Sequence, residues 1–433
     1  MTSTQTQTQA EMQGQPGAAP PKAEVRRNTL EDYVQVLGSG EIAELRALAE
    51  RLKGASVQMV NSTSVGGGVA EMLNRVVPLM CELELAVKWE VITGGDDFFA
   101  ITKAFHNSLH GEAYNLPDES FSTFLVYTEQ NRGRLTFDSD FTVIHDPQPA
   151  ALVEPKPNRK GHWVWRCHID LSHPNQRVWD FLAPYVSLYD AAIFSSPVFA
   201  RKLPIPQYLF YPSIDPLSEK NRELDPGYVA EVLDRFQIDF RRPILTQISR
   251  FDRLKDPVGV VRAYQIVKRY FDCQLVLAGG GAADDPEGRE VLAEVREAAG
   301  KDPDIFILDL PPWSALEINA LQRASTVIIQ KSLREGFGLT VSEGLWKKKP
   351  VVASAVGGIP TQIIHKHTGL LAYSIEGTAY QIRFLLSNPA IAQKLGEQGR
   401  EHVRENFLII SNVRRYLTMF LHFMKRSRAV AHG

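Results

Sequence analysis

The sequence predicts an α/β protein with two Rossmann-like domains that face each other across a cleft. Short apolar runs alternate with amphipathic helical segments in two successive series. That alternation is typical of a mostly parallel sheet covered by helices on both faces. A segment rich in proline and charge, residues 212–242, separates the two series and suits an interdomain linker with one short helix. The 433 residues are enough for two domains of ordinary size.

The first series begins after a helical segment over residues 29–53. Its six apolar runs are SVQMVNS, AVKWEVIT, FTVIHD, HWVWRCHID, AAIFSS and YLFYPSID. Gly66, Gly67 and Gly68 follow the first run and open a helix. Glycines there let a phosphate approach the backbone, and a helix N-terminus attracts anions; the alternative is a tight turn that needs glycine. Glu71 occupies the last position of a GxGxxG pattern, which disfavours NAD.

The second series contains six further runs, followed by a helical tail. The runs are PILTQIS, CQLVLAG, DIFILDL, TVIIQ, PVVAS and GLLAY. The tail, residues 401–428, carries an apolar stripe, and we expect it to return to the first domain. The resulting division is a disordered tail at 1–24, a first domain at 25–215 and 406–433, and a second domain at 216–405.

The most informative stretch is KSLREGFGLTVSEGLWKKK, residues 331–349. It reads as a strand end, a turn with Gly336 and Gly338, and a helix, which together form an anion site. Glu335 lies in the turn and Glu343 about one turn into the helix, so they could reach opposite ends of one ligand roughly 10 Å long. The alternative is an ordinary strand–turn–helix with two solvated glutamates. The three final lysines read as a solvated helix end.

Two cations follow the first strand of the second series. SRFDRLKD places Arg250 and Lys255 in a turn at the carboxyl end of that strand. Two positive side chains facing a cleft suit the neutralisation of a diphosphate. The alternative is a solvated surface pair.

These motifs together carry a family resemblance. The pattern R-x4-K after a strand, followed by EGFGL and E-x7-E, resembles the retaining GT-B glycosyltransferases of family 4. The GGGVA turn is similar to their glycine loop, and the resemblance covers nearly all of residues 55–425. HDPQP and HWVWRCHIDLSHPN resemble the trehalose-forming members of that family and also trehalose phosphorylases.

The resemblance implies a role for each matching position. Arg250 and Lys255 would hold the diphosphate, Glu335 the donor glucose hydroxyls, and Glu343 the ribose. The other implied sugar or phosphate contacts are Gly67, Gly68, Gly336, Phe337, Gly338, Leu339 and Thr340. His168 would lie near the reacting sugar, and Asp146 would position hydroxyls.

The implied protein is an enzyme, a retaining glycosyltransferase that forms α,α-trehalose reversibly from NDP-glucose and glucose. By the same resemblance the incoming hydroxyl attacks on the face that the diphosphate leaves. One rival is a phosphorylase that uses glucose 1-phosphate, another is a related transferase with a different acceptor, and a third is a non-catalytic sugar-nucleotide sensor. No tightly bound cofactor is expected, although Mg²⁺ could accompany the diphosphate.

Composition and residue spacing limit the classes of binding partner and the cellular location that the sequence predicts. The net charge of −2 gives no reason to expect nucleic acid, and no apolar run approaches the ~18 residues that span a bilayer. His145, His162, His168 and His173 lack a compact ligand spacing, so no metal site is expected. Three cysteines without CxxC spacing, and an N-terminus unlike a signal peptide, predict buried reduced thiols in a cytoplasmic protein. A homodimer is left open.

Overall fold

The structure, a computed structural model, describes residues 28–64, 67–280 and 286–431. Within these ranges it contains two parallel six-stranded sheets, one in each half of the chain. The first comprises β1 Ser56–Asn61, β2 Ala86–Val91, β3 Phe141–His145, β4 His162–Arg166, β5 Ala191–Phe194 and β6 Gln207–Leu209. The second comprises β7 Ile244–Ile248, β8 Gln274–Gly279, β9 Ile305–Asp309, β10 Val327–Gln330, β11 Val351–Ser354 and β12 Leu370–Ala372. Each predicted apolar run overlaps one of these strands, so the predicted α/β class is confirmed.

Strand order determines where the functional loops meet. The first sheet runs β2-β1-β3-β4-β5-β6 and the second β12-β11-β10-β7-β8-β9. In each sheet the order reverses beside the first strand of its series, β1 or β7. Ligands of open parallel sheets bind outside the carboxyl ends of the strands at such a reversal. The loops after β1, β3, β7 and β10 are therefore the expected site.

Helices cover both faces of each sheet. In the first half they are α1 Leu30–Leu37, α2 Ser39–Glu50, α3 Gly67–Glu82, α4 Asp96–Leu109, α5 Asp118–Arg134 and α6 Gln176–Val186. The others are α7 Pro226–Arg235, α8 Pro257–Lys268, α9 Pro286–Ala299, α10 Ala315–Ala324, α11 Leu339–Trp346, α12 Ile359–Gln362, α13 Ile375–Ser387, α14 Pro389–Asn406 and α15 Ile409–Ala431. Gly38, with φ of 90°, divides the predicted first helix into α1 and α2. The linker holds one short helix, α7, as predicted.

The C-terminal helix returns to the first half of the chain, as the sequence predicts. Val413, Tyr416 and Phe420 of α15 are buried in the same apolar core as Val57 and Met59 of β1. The chain crosses between the halves twice at one place, where the Ile214 N–H donates to the Phe407 carbonyl at 2.8 Å. The predicted domain limits at residues 215 and 406 lie beside this crossing, and the predicted tail over 1–24 lies outside the described residues.

Two smaller observations bear on the sequence predictions. Cys167 and Cys273 are buried, but Cys81 is exposed on α3, so the prediction of three buried thiols is wrong for that residue. Cys81 lies near the end of an amphipathic helix, on the face turned away from the core. Among the described helices, none has the length and apolarity needed to cross a membrane.

Candidate active site

A cavity of about 710 Å³ lies between the two halves of the chain. All the predicted site residues line it except Gly67 and Glu343. Gly67 is the first residue of α3, directly before the lining residue Gly68. Glu343 lines a smaller adjoining cavity that shares Gly68 and Leu339 with the larger one. The structure therefore brings residues from both halves together at the carboxyl ends of the strands.

The N-terminus of α11 faces this cavity. Gly338 precedes the helix with φ of 81°, a left-handed conformation that glycine adopts without strain, and no described side chain caps it. The buried amide of Gln362 donates to the carbonyls of Phe337 and Gly338. The Val341 N–H donates to the Gly338 carbonyl at 2.9 Å, so the earlier N–H groups of the turn, those of Leu339 and Thr340, are the ones that face an anion in the cavity.

A second glycine pair, which the sequence reading missed, supports this turn. The Gly358 N–H donates to the Gly336 carbonyl at 3.0 Å. Gly357 has φ of 54°, and a Cβ there would overlap the carbonyl oxygen of Glu335. The signal in the sequence is VGG, one residue after the run PVVAS. These glycines let the loop after β11 pack against the backbone of the predicted donor site.

Lys255 and Glu335 form an ion pair in the cavity, with Lys255 Nζ 2.6 Å from Glu335 Oε2. The same oxygen accepts from the Ser332 hydroxyl at 3.1 Å and from the Gln330 amide at 3.3 Å. The side chains are 19% and 8% exposed, so solvent screens the pair only weakly. Lys255 ends a short 3-10 turn, Arg253–Lys255, that the Asp252 carboxylate caps. The predicted cation and the predicted sugar-binding carboxylate thus neutralise each other.

Arg250 lies on the same wall as Lys255 but is much more exposed to solvent. Its guanidinium is 3.0 Å from the buried Asp252 carboxylate, and its side chain is 70% exposed at the cavity mouth. The two predicted cations therefore differ in mobility, since Lys255 is held inside the cavity whereas Arg250 is free to reorient.

Glu343 is buried on α11 and accepts a hydrogen bond from the Gln322 amide at 3.2 Å. One turn later, Lys347 contradicts the prediction of a solvated helix end. Its ammonium is buried and donates to Asn221 Oδ1 at 3.0 Å and to the Glu343 carbonyl at 3.3 Å. Burial lowers the pKa of Lys347 to about 7. Lys347 is buried because the linker residue Asn221 packs against it, whereas Lys348 is exposed, as the sequence predicts.

On the opposite wall, Asp146 follows β3 in a left-handed conformation with φ of 67°. Its N–H donates to the Arg166 carbonyl at 2.8 Å, and its carbonyl accepts from the Trp165 indole at 3.0 Å. Its Oδ1 accepts from the backbone N–H of His168 at 2.7 Å. Burial raises the pKa of Asp146 to about 7, and the His168 hydrogen bond and the Arg166 charge oppose that shift. The carboxyl of Asp146 is therefore protonated at a higher pH than that of an ordinary aspartate.

His168 lies beside Asp146 and forms a pair with His145, whose Nδ1 is 3.0 Å from His168 Nε2. Burial holds the pKa of both imidazoles well below the usual value, and the charge of Arg166 lowers both further. Both rings are therefore neutral. Trp163 and Trp165, which the sequence placed either in the core or beside the sugar, are fully buried in the core.

Other polar residues, which no sequence motif predicts, also line the cavity. They are His106, Asn107, His110, Glu112, Asp170 and Arg334. Arg334 donates to the His110 carbonyl at 2.9 Å, which joins the two walls directly. In the part of the chain that the structure describes, no group of three or more His, Cys, Asp or Glu residues could hold a metal ion.

Comparison with known proteins defines the class. A family profile described as "Trehalose synthase, N-terminal domain" matches residues 59–201, and one described as "Glycosyl transferases group 1" matches residues 231–402. The fold is similar to that of trehalose-6-phosphate synthase OtsA (TM-score 0.66, 12% identity, 84% of this chain and 99% of that one). It is also similar to sucrose-phosphate synthase from Thermosynechococcus elongatus (TM-score 0.64, 17% identity, 86% of this chain and 100% of that one). The protein is a GT-B glycosyltransferase.

Sequence relatives define the family within that class. A trehalose synthase from Pyrococcus horikoshii is 43% identical over 90% of this chain and 95% of its own length. A trehalose synthase from Rubrobacter xylanophilus is 43% identical over 90% and 96%. A trehalose phosphorylase from Pleurotus pulmonarius is 28% identical over 93% of this chain and 62% of its own. The chain belongs to the trehalose synthase family of glycosyltransferases.

Proposed function

We propose that the enzyme transfers glucose from a nucleoside diphosphate glucose to free glucose, with retention, and so forms α,α-trehalose reversibly. The observation that carries this proposal is the ion pair of Lys255 and Glu335 below the uncapped N-terminus of α11. A cation and a carboxylate that already lie together can separate onto a phosphate and a sugar. The 43% identity to trehalose synthases supports the choice of trehalose.

The donor binds along the second-half wall. Its diphosphate lies against the N–H groups of Gly338, Leu339 and Thr340 and draws Lys255 away from Glu335. Glu335 then accepts hydrogen bonds from the glucose hydroxyls, and Arg250 swings in from the cavity mouth. As the glycosidic bond breaks, the diphosphate becomes more anionic, so Lys255 and the helix N-terminus stabilise the transition state more than the ground state.

Glu343 binds the ribose hydroxyls from the adjoining cavity. Its carboxylate is buried on α11, five residues beyond Gly338, at the distance expected for the next group of a nucleotide whose diphosphate occupies the helix N-terminus. Gly67 and Gly68 allow the first-half wall to approach the sugar or the phosphate closely.

The acceptor binds against the first-half wall, and its hydroxyl attacks from the face that the diphosphate leaves. The departing phosphate oxygen takes the proton of that hydroxyl. A double displacement would instead need an ionised carboxylate free to attack the sugar. Asp146 is a poor nucleophile because its raised pKa keeps much of it protonated near pH 7. Glu335 is held by Lys255, Ser332 and Gln330.

The test is a product analysis over a grid of donors and acceptors. UDP-, ADP- and GDP-glucose are each incubated with glucose, and trehalose is incubated in reverse with each nucleoside diphosphate or with inorganic phosphate. We expect α,α-trehalose and free diphosphate, with an α-linkage formed from the α-donor. Turnover only with phosphate and glucose 1-phosphate would assign the chain to the phosphorylases. Binding of nucleotide sugar without turnover would make it a sensor.

The proposal includes no resident metal ion. The Glu335 and Glu343 carboxylates of the donor site are already engaged by Lys255 and Gln322, so any Mg²⁺ would be held by the diphosphate itself. Chelation with EDTA should therefore weaken donor binding at most, without loss of folded protein in a thermal unfolding scan. Cytoplasmic location and a homodimer remain proposals, which fractionation and light scattering of the purified protein would test.

A further inference from the structure

His145 and His168 form a buried pair behind the first-half wall. His145 is the last residue of β3 and is fully buried, and His168 follows β4, the neighbouring strand. The ring planes are 13° apart and the centroids 5.3 Å apart, and His145 Nδ1 lies 3.0 Å from His168 Nε2, so the rings meet edge to edge. At that distance one of these two nitrogens carries a hydrogen and the other accepts it.

The sulfur of Met59 decides which nitrogen is the donor. His145 Nε2 lies 3.5 Å from Met59 Sδ, and a thioether sulfur can only accept. The contact is a hydrogen bond only when the hydrogen of His145 is on Nε2, which favours that tautomer. Because burial keeps His145 neutral, its Nδ1 is unprotonated and is the acceptor. His168 Nε2 must then be the donor of the shared hydrogen bond.

With His168 Nε2 as the donor, the second ring nitrogen of His168, Nδ1, carries no hydrogen. His168 is neutral as well, so it carries one N–H only, and that N–H is directed to His145. The ring lines the cavity, and its backbone is fixed by the 2.7 Å hydrogen bond to the Asp146 carboxyl. His168 therefore offers the cavity an acceptor and no donor.

We propose that His145 is a positioning residue for His168. The contact with Met59 fixes the tautomer of His145, and His145 in turn holds His168 as the tautomer whose Nδ1 accepts a hydrogen bond from a substrate hydroxyl. The identity of that hydroxyl, on a sugar, rests on the proposed function; the tautomer does not. A ring nitrogen that only accepts selects a hydroxyl group, which can donate, over a group that presents only acceptor oxygens, such as a phosphate.

The first experiment reads the tautomer directly. Long-range ¹H–¹⁵N correlation NMR on the intact ligand-free protein, labelled with ¹⁵N-histidine, distinguishes protonated from unprotonated ring nitrogens. The signals of His168 are assigned by their loss in His168→Gln. We expect His168 to be protonated at Nε2 and His145 at Nε2. Protonation of His168 at Nδ1 would overturn the proposal whatever reaction the enzyme catalyses.

Two substitutions at the buried position then test the coupling. His145→Asn places a side-chain oxygen near the former Nδ1 and should keep the His168 tautomer. His145→Leu removes the acceptor, so His168 should become a mixture of tautomers, and kcat/KM should fall about tenfold, the effect of one lost hydrogen bond. Met59→Leu, of similar volume, should randomise the His145 tautomer first. Equal kcat/KM and equal tautomers in the folded Asn and Leu variants would contradict the proposal.

The two levels of the argument can fail separately. If the product grid yields no trehalose but the His168 tautomer is as expected, the proposed function fails and the positioning role of His145 stands. If trehalose forms but His168 carries its hydrogen on Nδ1, the reverse holds. Should His145→Leu fail to fold in a thermal scan, Met59→Leu and the wild-type spectrum still decide the question.

Discussion

The two walls of the cleft differ in the charge state of the polar groups that they place in a cavity of limited solvent access. The second-half wall keeps its charges and pairs them, as Lys255 does with Glu335 and Arg250 with Asp252. At His145, His168 and Asp146 the first-half wall instead favours neutral groups, since burial lowers the pKa of both histidines and raises that of Asp146.

The difference shows what each wall does when a ligand arrives. Paired charges must separate, so the second-half wall responds to an incoming anion by changing partners. Neutral groups held by fixed hydrogen bonds need no rearrangement, so the first-half wall is already organised for uncharged hydroxyls. A charged donor on one side and an uncharged acceptor on the other fit this division.

The largest expected effect follows from removing the cation of the second-half wall. Lys255→Ala should lower kcat by about 10²–10³-fold, the typical loss for one transition-state electrostatic contact. It also leaves the Glu335 carboxylate poorly compensated, which should weaken donor binding. Steady-state kinetics with nucleotide sugar and glucose measure both changes.

Arg253→Ala is the matched control for Lys255→Ala. Arg253 belongs to the same short turn but pairs with Glu290 and Glu294 on α9, outside the cavity. Its substitution should leave kcat within about twofold, as for a surface pair. If Lys255→Ala behaved like Arg253→Ala, Lys255 would not belong to the catalytic site.

The next largest effect is expected from glycine-to-alanine substitutions, which test how closely the backbone of each wall is packed. At Gly357 a Cβ would overlap the Glu335 carbonyl, so Gly357→Ala should displace the donor loop, cost on the order of 1–3 kcal/mol of stability and lower kcat. At Gly68 a Cβ meets no atom within 4 Å. Gly68→Ala should therefore keep the wild-type melting temperature and raise KM only. A melting temperature lowered equally in both variants would show that Gly68 is structural.

The sequence predicts the parts of this site that are local in the chain. The strand, glycine turn and helix around Glu335 can be recognised because all their signals lie within residues 326–346. The two cations follow a strand directly, and the strands lie in short apolar runs. For such elements, periodicity and turn residues carry the information.

What the sequence does not predict depends on contacts between distant segments. Gly357 reads as an ordinary turn until the Glu335 backbone is seen against it. Lys347 reads as solvated because Asn221, which buries it, lies in the linker. The hydrogen bonding of His145 depends on Met59, 86 residues earlier. Burial and partner identity at such positions follow from the tertiary fold, which no local pattern encodes.

A moderate effect is expected at the nucleotide end of the second-half wall. Glu343→Ala should weaken nucleoside diphosphate binding about tenfold, with kcat at saturating donor nearly unchanged, because the ribose is remote from the bond that breaks. Isothermal titration calorimetry with the diphosphate alone measures the first change. Glu343→Gln keeps an acceptor and the contact with Gln322, so it should lose less. A loss confined to kcat would contradict a ribose role.

The smallest expected effect concerns the neutral state of the first-half wall and its dependence on pH. The pKa of Asp146 is raised to about 7 in the folded protein from an ordinary value of 3.8. Between those values the folded state binds more protons than the unfolded state, so this group's contribution to stability falls as pH rises from 4 to 7 and is constant above. Asp146→Asn keeps the oxygen that accepts from His168, tolerates the left-handed backbone and cannot ionise. Its melting temperature should match the wild type near pH 4 and exceed it at pH 8. We expect its free energy of unfolding at pH 8 to be higher by on the order of 1 kcal/mol, a modest value because solvent reaches part of the carboxyl. Parallel melting curves of the two proteins across this range would mean that Asp146 is already ionised in the folded state, and the contrast between a charged and a neutral wall would then be lost.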